Sequence, residues 1–145
     1  MAYRNASKKK ETILRTPAMV QIYRNAHMLA QNQASVLIYG ESGVGKSHLA
    51  DYIQQNGPLA NYPYIRISCN AISEELFASE LFGYSPNAFT GASARGKVGL
   101  LAAADHGTVL FDEINELPPQ NQTLLLHFLQ NKNITPIGSL TSMDI

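Results

Sequence analysis

"SVLIYGESGVGKS", Ser35 to Ser47, joins two patterns with no linker between them. The first half is a short continuous apolar run closed by Gly40, which predicts a strand buried on both faces of a parallel sheet. The second half fits G-x-x-x-x-G-K-[ST] at Gly40, Gly45, Lys46 and Ser47, and a helix is expected from Lys46 to the Gly57-Pro58 breaker. Upstream, "TPAMVQIYRNAHMLAQ" predicts a helix with Thr16 as N-cap and Pro17 first, setting Val20, Tyr23, His27 and Ala30 at helical spacing. Downstream, "YIRIS" (64–68) and "TVLFDE" (108–113) read as strands, and a helix starts at Ser73 and runs to about Phe82. "KVGLLAAAD" reads as a short helix closed by Gly107. "PPQNQTLLLHFLQNK" reads as a helix packing Leu125, Phe128 and Leu129. The last stretch, "ITPIGSLTSMDI", has too few apolar positions to assign. Strands alternating with helices predict an α/β domain with a mainly parallel sheet.

The chain has 145 residues, 45% hydrophobic and 15% charged, enough for one packed domain and too apolar for disorder. Eleven basic and eleven acidic side chains balance, so global charge points to neither nucleic acid nor an anionic membrane. The basic side chains are concentrated at the start: Arg4, Lys8, Lys9, Lys10 and Arg15 face only Glu11, and residues 1–15 are read as a flexible basic segment or linker before a domain at 16–145. The lone Cys69 excludes an intrachain disulfide, and neither an 18-residue apolar run nor a signal peptide is present. A cytoplasmic protein without a membrane partner is expected. His27, His48, His106 and His127 lack ligand spacing.

The glycine turn carries the chemistry. Backbone N–H groups from Gly40, Glu41, Ser42, Gly43, Val44, Gly45, Lys46, Ser47 and His48 suit a nucleotide's phosphates at a helix N-terminus, where the partial positive charge favours anions. Lys46 is expected at the β- and γ-phosphates and the Ser47 hydroxyl on Mg²⁺. The second half of such a site is the acidic end of "TVLFDE", where Asp112 is expected to hold the hydrated Mg²⁺ and Glu113 to polarise an attacking water. The expected cofactors are ATP and Mg²⁺.

"FGYSPNAFTGA", Phe82 to Ala92, sets an apolar ring, Phe89, among turn formers. Either Phe89 folds back on its own domain or it touches another molecule. Taken together, "GESGVGKS", "ELFGYSPNAFTGA" and "GTVLFDEINELPPQNQTLLLHFLQ" resemble the AAA+ ATPase core of bacterial sigma-54-dependent transcriptional activators, the enhancer-binding proteins. The resemblance runs from about residue 13 to 145. It implies a P-loop NTPase of the AAA+ type, a three-layer sandwich with a mainly parallel sheet. It also implies a homo-oligomeric, usually hexameric ring in the full-length protein and ATP-driven opening of promoter complexes. The loop Asn87, Ala88, Phe89, Thr90, Gly91 and Ala92 is then the element that engages the sigma-54 RNA polymerase holoenzyme.

This chain departs from the family pattern at three residues, one of them Ser47, where the family often has glutamate after the P-loop lysine and this chain has the general P-loop metal ligand. Asn87 stands where the family usually has glycine, and asparagine tolerates unusual backbone angles less well. Ser68 stands where the family has an asparagine that restrains the catalytic glutamate; Ser68 either does this with a shorter reach or the coupling is altered. The resemblance stops at Asp144-Ile145, before the family's sensor strand, arginine fingers, helical lid and DNA-binding helix-turn-helix. DNA contact is therefore expected through a domain outside this sequence, and the ATPase activity of this stretch alone is expected to be weak or absent. Two other readings stay open: a nucleotide-switched sigma-54 binding module without effective hydrolysis, and a P-loop phosphotransferase, which Glu113 disfavours.

Overall fold

Helix α1 (Pro17–Ala30) begins as its sequence predicts: the Met19 amide donates to the Thr16 hydroxyl (3.2 Å) and Pro17 takes the first helical position. A computed structural model describes residues 16–32 and 34–145, so the basic segment 1–15 and its expected linker role lie outside the described residues. Tyr23, Ala26 and Ala30 form the buried stripe of α1, against helix α2 (Lys46–Asn56), with the Tyr23 ring edge-on to Tyr52 at 4.8 Å. His27, expected on that face, is exposed. The two alanines let the helices approach closely, and the stripe is only as wide as they make it. α2 ends at Gly57, against the Ala30 carbonyl, where a side chain would collide.

Strands β1 (Tyr64–Ser68) and β4 (Thr108–Asp112) pair in parallel, from Tyr64 opposite Thr108 to Ser68 opposite Asp112. Alternation along β1 assigns its two faces. Ile65 and Ile67 enter a core with Phe77 and Leu81 of α3 (Glu74–Phe82), Leu101 of α4 (Leu100–Ala103), and Leu125 and Phe128 of α5 (Pro119–Asn131). Tyr64 and Arg66 point the other way, where both donate hydrogen bonds to Asp51 of α2. Helices thus cover both faces of the parallel pair, as the α/β reading requires.

The run 35–40 does not form the expected buried strand. It has no ladder partner among the described residues, and Leu37 and Tyr39 are 79% and 97% exposed. An apolar run becomes a strand only when neighbours take up its backbone hydrogen bonds, and none of the described strands lies alongside.

Two short antiparallel pairs complete the chain: β2 (Gly83–Tyr84) with β3 (Lys97–Val98), and β5 (Asn133–Ile134) with β6 (Met143–Asp144). The β2–β3 pair displaces the helix expected from Lys97, which instead starts at Leu100. Lys97 is drawn into the pair by its ladder to Tyr84 and its ion pair with Glu80 of α3. On α5, Leu125 and Phe128 are buried as expected, whereas Leu129 is exposed beside Ile114 of the 3-10 turn Ile114–Glu116. Among the described residues no helix is long and apolar enough to cross a membrane.

Phe77 is fully buried at the centre of this core. Phe77→Ala should therefore cost about 3–5 kcal/mol in denaturant unfolding. The Tyr64 hydroxyl is pushed up to about 12, chiefly by burial and further by the Asp51 carboxylate that accepts its proton. Below pH 10 the hydroxyl is protonated folded or unfolded. Between pH 10 and 12 the unfolded chain loses that proton first, so stability should fall as pH rises through this window. Asp51→Asn should lower the Tyr64 titration toward 10, read as the difference in tyrosinate absorbance from Tyr64→Phe.

Candidate functional site

Gly43 and Gly45 turn the chain with φ of +78° and +97°, a left-handed path that glycine takes without strain. Gly45 caps α2 without a side-chain hydrogen bond, so the first N–H groups of that helix stay available at the mouth of the loop. Glu41, Ser42 and Val44 are exposed around it, and the His48 ring lies 6.4 Å from Tyr23 on the α1 side. Lys46 folds back over the loop, its ammonium donating to the carbonyls of Gly40 (2.9 Å) and Glu41 (2.6 Å). Among the described residues it makes no ion pair, so a full positive charge rests on neutral carbonyls.

The acidic pair reaches the same place from β4. Ser47 Oγ donates to Asp112 Oδ2 at 3.3 Å, joining residues 65 apart in sequence. Asp112 Oδ1 accepts the Glu113 amide at 3.1 Å, which fixes the carboxylate at the end of β4. Glu113 itself has φ +55°, ψ +43°, a left-handed conformation costly for a residue with a Cβ. Its carboxylate is exposed and has no hydrogen-bond or ion-pair partner among the described residues. No sequence signal marks this strain.

Ser68 lies opposite Asp112 in the register, yet its hydroxyl donates to Asn70 Oδ1 at 2.8 Å and not to Glu113. A turn closed by the Ala71 amide on the Ser68 carbonyl (3.1 Å) folds Asn70 back to this point. Alternation puts positions 68 and 70 on one face of a continued strand, two residues apart; the strand instead ends at Ser68, and the turn that brings Asn70 onto its hydroxyl is legible only in the structure. Between them Cys69 is buried, its amide donating to the Asp112 carbonyl at 3.0 Å. Burial, then the nearby Asp112 and Glu113 carboxylates, push its thiol up to about 11, which leaves it protonated and inert.

The 85–96 loop springs from β2 and β3. Asn87 adopts φ +56° and Gly91 φ +89°. The departure from glycine at 87 thus falls on the residue type that, after glycine, takes such angles most readily. The Asn87 amide donates to the Ser93 carbonyl (3.2 Å) and the Ala92 amide to the Phe89 carbonyl (2.9 Å), so the tip is a closed turn. Phe89 does both of the things its sequence allows. Its ring packs edge-on against Tyr84 at 5.1 Å, and it remains 46% exposed. Ala88 is backed by Gly138, at φ +77°, where an added Cβ would lie 2.7 Å from the Ala88 Cβ.

A family model described as the Sigma-54 interaction domain matches residues 12–145. The chain is 40% identical over 137 residues to the transcriptional regulatory protein GlrR of Escherichia coli, covering 94% of this chain and 31% of that one. It is 44% identical over 130 residues to the regulatory protein AtoC of Escherichia coli, covering 90% of this chain and 28% of that one. Its fold resembles that of NtrX from Brucella abortus in complex with ATP: TM-score 0.80, 26% identity, 93% of this chain and 28% of that chain. The chain therefore spans under a third of each of these proteins. With the match reaching from residue 12 to the last residue, over an α/β fold shared with NtrX, the chain belongs to the Sigma-54 interaction domain family of transcriptional regulators.

Proposed function

We propose that this chain is the ATP-binding and ATP-hydrolysing core of a sigma-54-dependent transcriptional activator. In that role it uses ATP to remodel the sigma-54 RNA polymerase holoenzyme and drive promoter opening. The observation that carries this reading is the convergence of Lys46, Ser47 and Asp112, with Ser47 Oγ 3.3 Å from Asp112 Oδ2. NtrX, of the same fold, was crystallised with ATP, which supports nucleotide as the ligand.

The residues fit Mg-ATP. The Ser47 hydroxyl and Asp112 carboxylate offer two hard oxygen donors side by side and would hold Mg²⁺. Bound Mg²⁺ would neutralise charge developing on the phosphates. Lys46 exchanges its two loop carbonyls for phosphate oxygens, a stronger charge-assisted pairing. Glu113, with an uncommitted carboxylate at the strand end, takes the proton of the attacking water. The Asn87–Ala92 loop, with Phe89 and Thr90 at its tip, meets sigma-54, and the ring form and DNA contact belong to the longer protein.

One observation bears on a second reading, a nucleotide-held sigma-54 binding module that hydrolyses poorly. Ser68 spends its hydroxyl on Asn70 and leaves Glu113 unrestrained. A glutamate free of that restraint favours hydrolysis over such a module.

ATP turnover measured over a wide range of protein concentration, with calorimetry of Mg-ATP binding, tests the proposal. Lys46→Ala should weaken nucleotide binding by about tenfold to a hundredfold. Glu113→Gln should keep binding and lower any turnover by about 10² to 10⁴. Binding that survives in Lys46→Ala would overturn the site assignment; binding without turnover in the parent chain would select the second reading. Thr90→Ala should abolish trapping of sigma-54 with ADP and a metal fluoride while leaving nucleotide affinity intact.

A further inference from the structure

A cavity of about 670 Å³ opens between α1 and α2, and no residue of the glycine loop lines it. Its size falls within the range of about 300–1,000 Å³ that holds small ligands. Tyr23 and Tyr52 both line it, their rings edge-on with centroids 4.8 Å apart. Tyr23 is buried in the contact between the two helices, whereas Met28 is 59% exposed. The lining thus joins a fixed aromatic pair to an adaptable thioether, two surfaces that pack well on a flat ring.

The polar lining contains no acid. Arg24 and His27, one turn apart on α1, both border the cavity. Arg24 makes no hydrogen bond or ion pair with any described residue, and Gln21 spends its amide on Asn25 at 2.9 Å. α1 itself carries no Asp or Glu. Asp51, next to Tyr52 in sequence, is turned to Tyr64 and Arg66 of β1 and leaves the Arg24 charge unbalanced. A guanidinium in this position suits a carboxylate, which it holds through two parallel N–H···O bonds. Polyanions need several cations in a row, so one arginine beside apolar walls selects a single anionic group.

We propose that the cavity between α1 and α2 is a binding site for a small aromatic carboxylate. The ring lies against Tyr23, Tyr52 and Met28, the carboxylate takes the Arg24 guanidinium, and His27 supplies a further ring nitrogen at the same rim. The site is independent of the nucleotide reading of the glycine loop.

Titration of the chain, carrying ¹³C at its methionine methyls, with sodium 2-naphthoate tests the inference. The Met28 methyl should shift and saturate with Kd below about 1 mM while the Met143 methyl on β6 stays in place. The uncharged 2-naphthamide should bind about tenfold or more weakly, and so should 2-naphthoate in Arg24→Gln, a change at an exposed residue that leaves the core intact. Mg-ADP should leave the titration unchanged. No saturating shift at Met28, or an equal shift at Met143, would overturn the site. Equal affinity for the carboxylate and the amide, or full affinity in Arg24→Gln, would overturn the ligand class assigned to it. Competition by Mg-ADP would overturn the inference in favour of an extension of the nucleotide site.

Discussion

Parallel pairing of β1 with β4 is the constraint from which the site follows. Two parallel strands in register end at the same edge, so Ser68 and Asp112 must emerge side by side. The turn after each strand then carries its polar residues, Asn70 and Glu113, to one end of the sheet. α2 crosses the face opposite the main core, pinned there by Asp51 to Tyr64 and Arg66, and this lays its first turn against Asp112. The hydrophobic core on the other face, centred on Phe77, Leu81 and Leu101, holds the pair flat enough for that alignment to persist.

What could be read from the sequence was what is decided locally. Thr16-Pro17, Gly57 and Pro118-Pro119 mark their helix ends correctly because caps and breakers act over one turn. The glycine loop was legible because its φ requirements are met by few residue types, and Asn87 followed the same logic. The width of a buried face was not. His27 and Leu129 have the right period but stand beyond the neighbouring helix or turn that sets the edge of the contact.

Long-range pairing was the less legible part. Residues 35–40 have the composition of a buried strand, but composition cannot supply a partner for the ladder. The tie between Ile137 and Tyr84, the Ser68–Asn70 hydrogen bond and the left-handed turn at Glu113 all depend on where other segments pass. At the candidate site, residue types and their order were readable from motif spacing. The direction in which Lys46 and Ser68 spend their hydrogen bonds was not.

The open run beside the glycine loop sets how the chain behaves at high concentration. Val36, Leu37, Ile38 and Tyr39 carry no charge, favour extended backbone and leave their N–H and C=O groups without partners among the described residues. Such a segment is a template for strand addition from any neighbour, and no lysine or proline interrupts it. The stretch that presents the glycine loop is thus also an open edge to which a strand of a neighbouring copy can add.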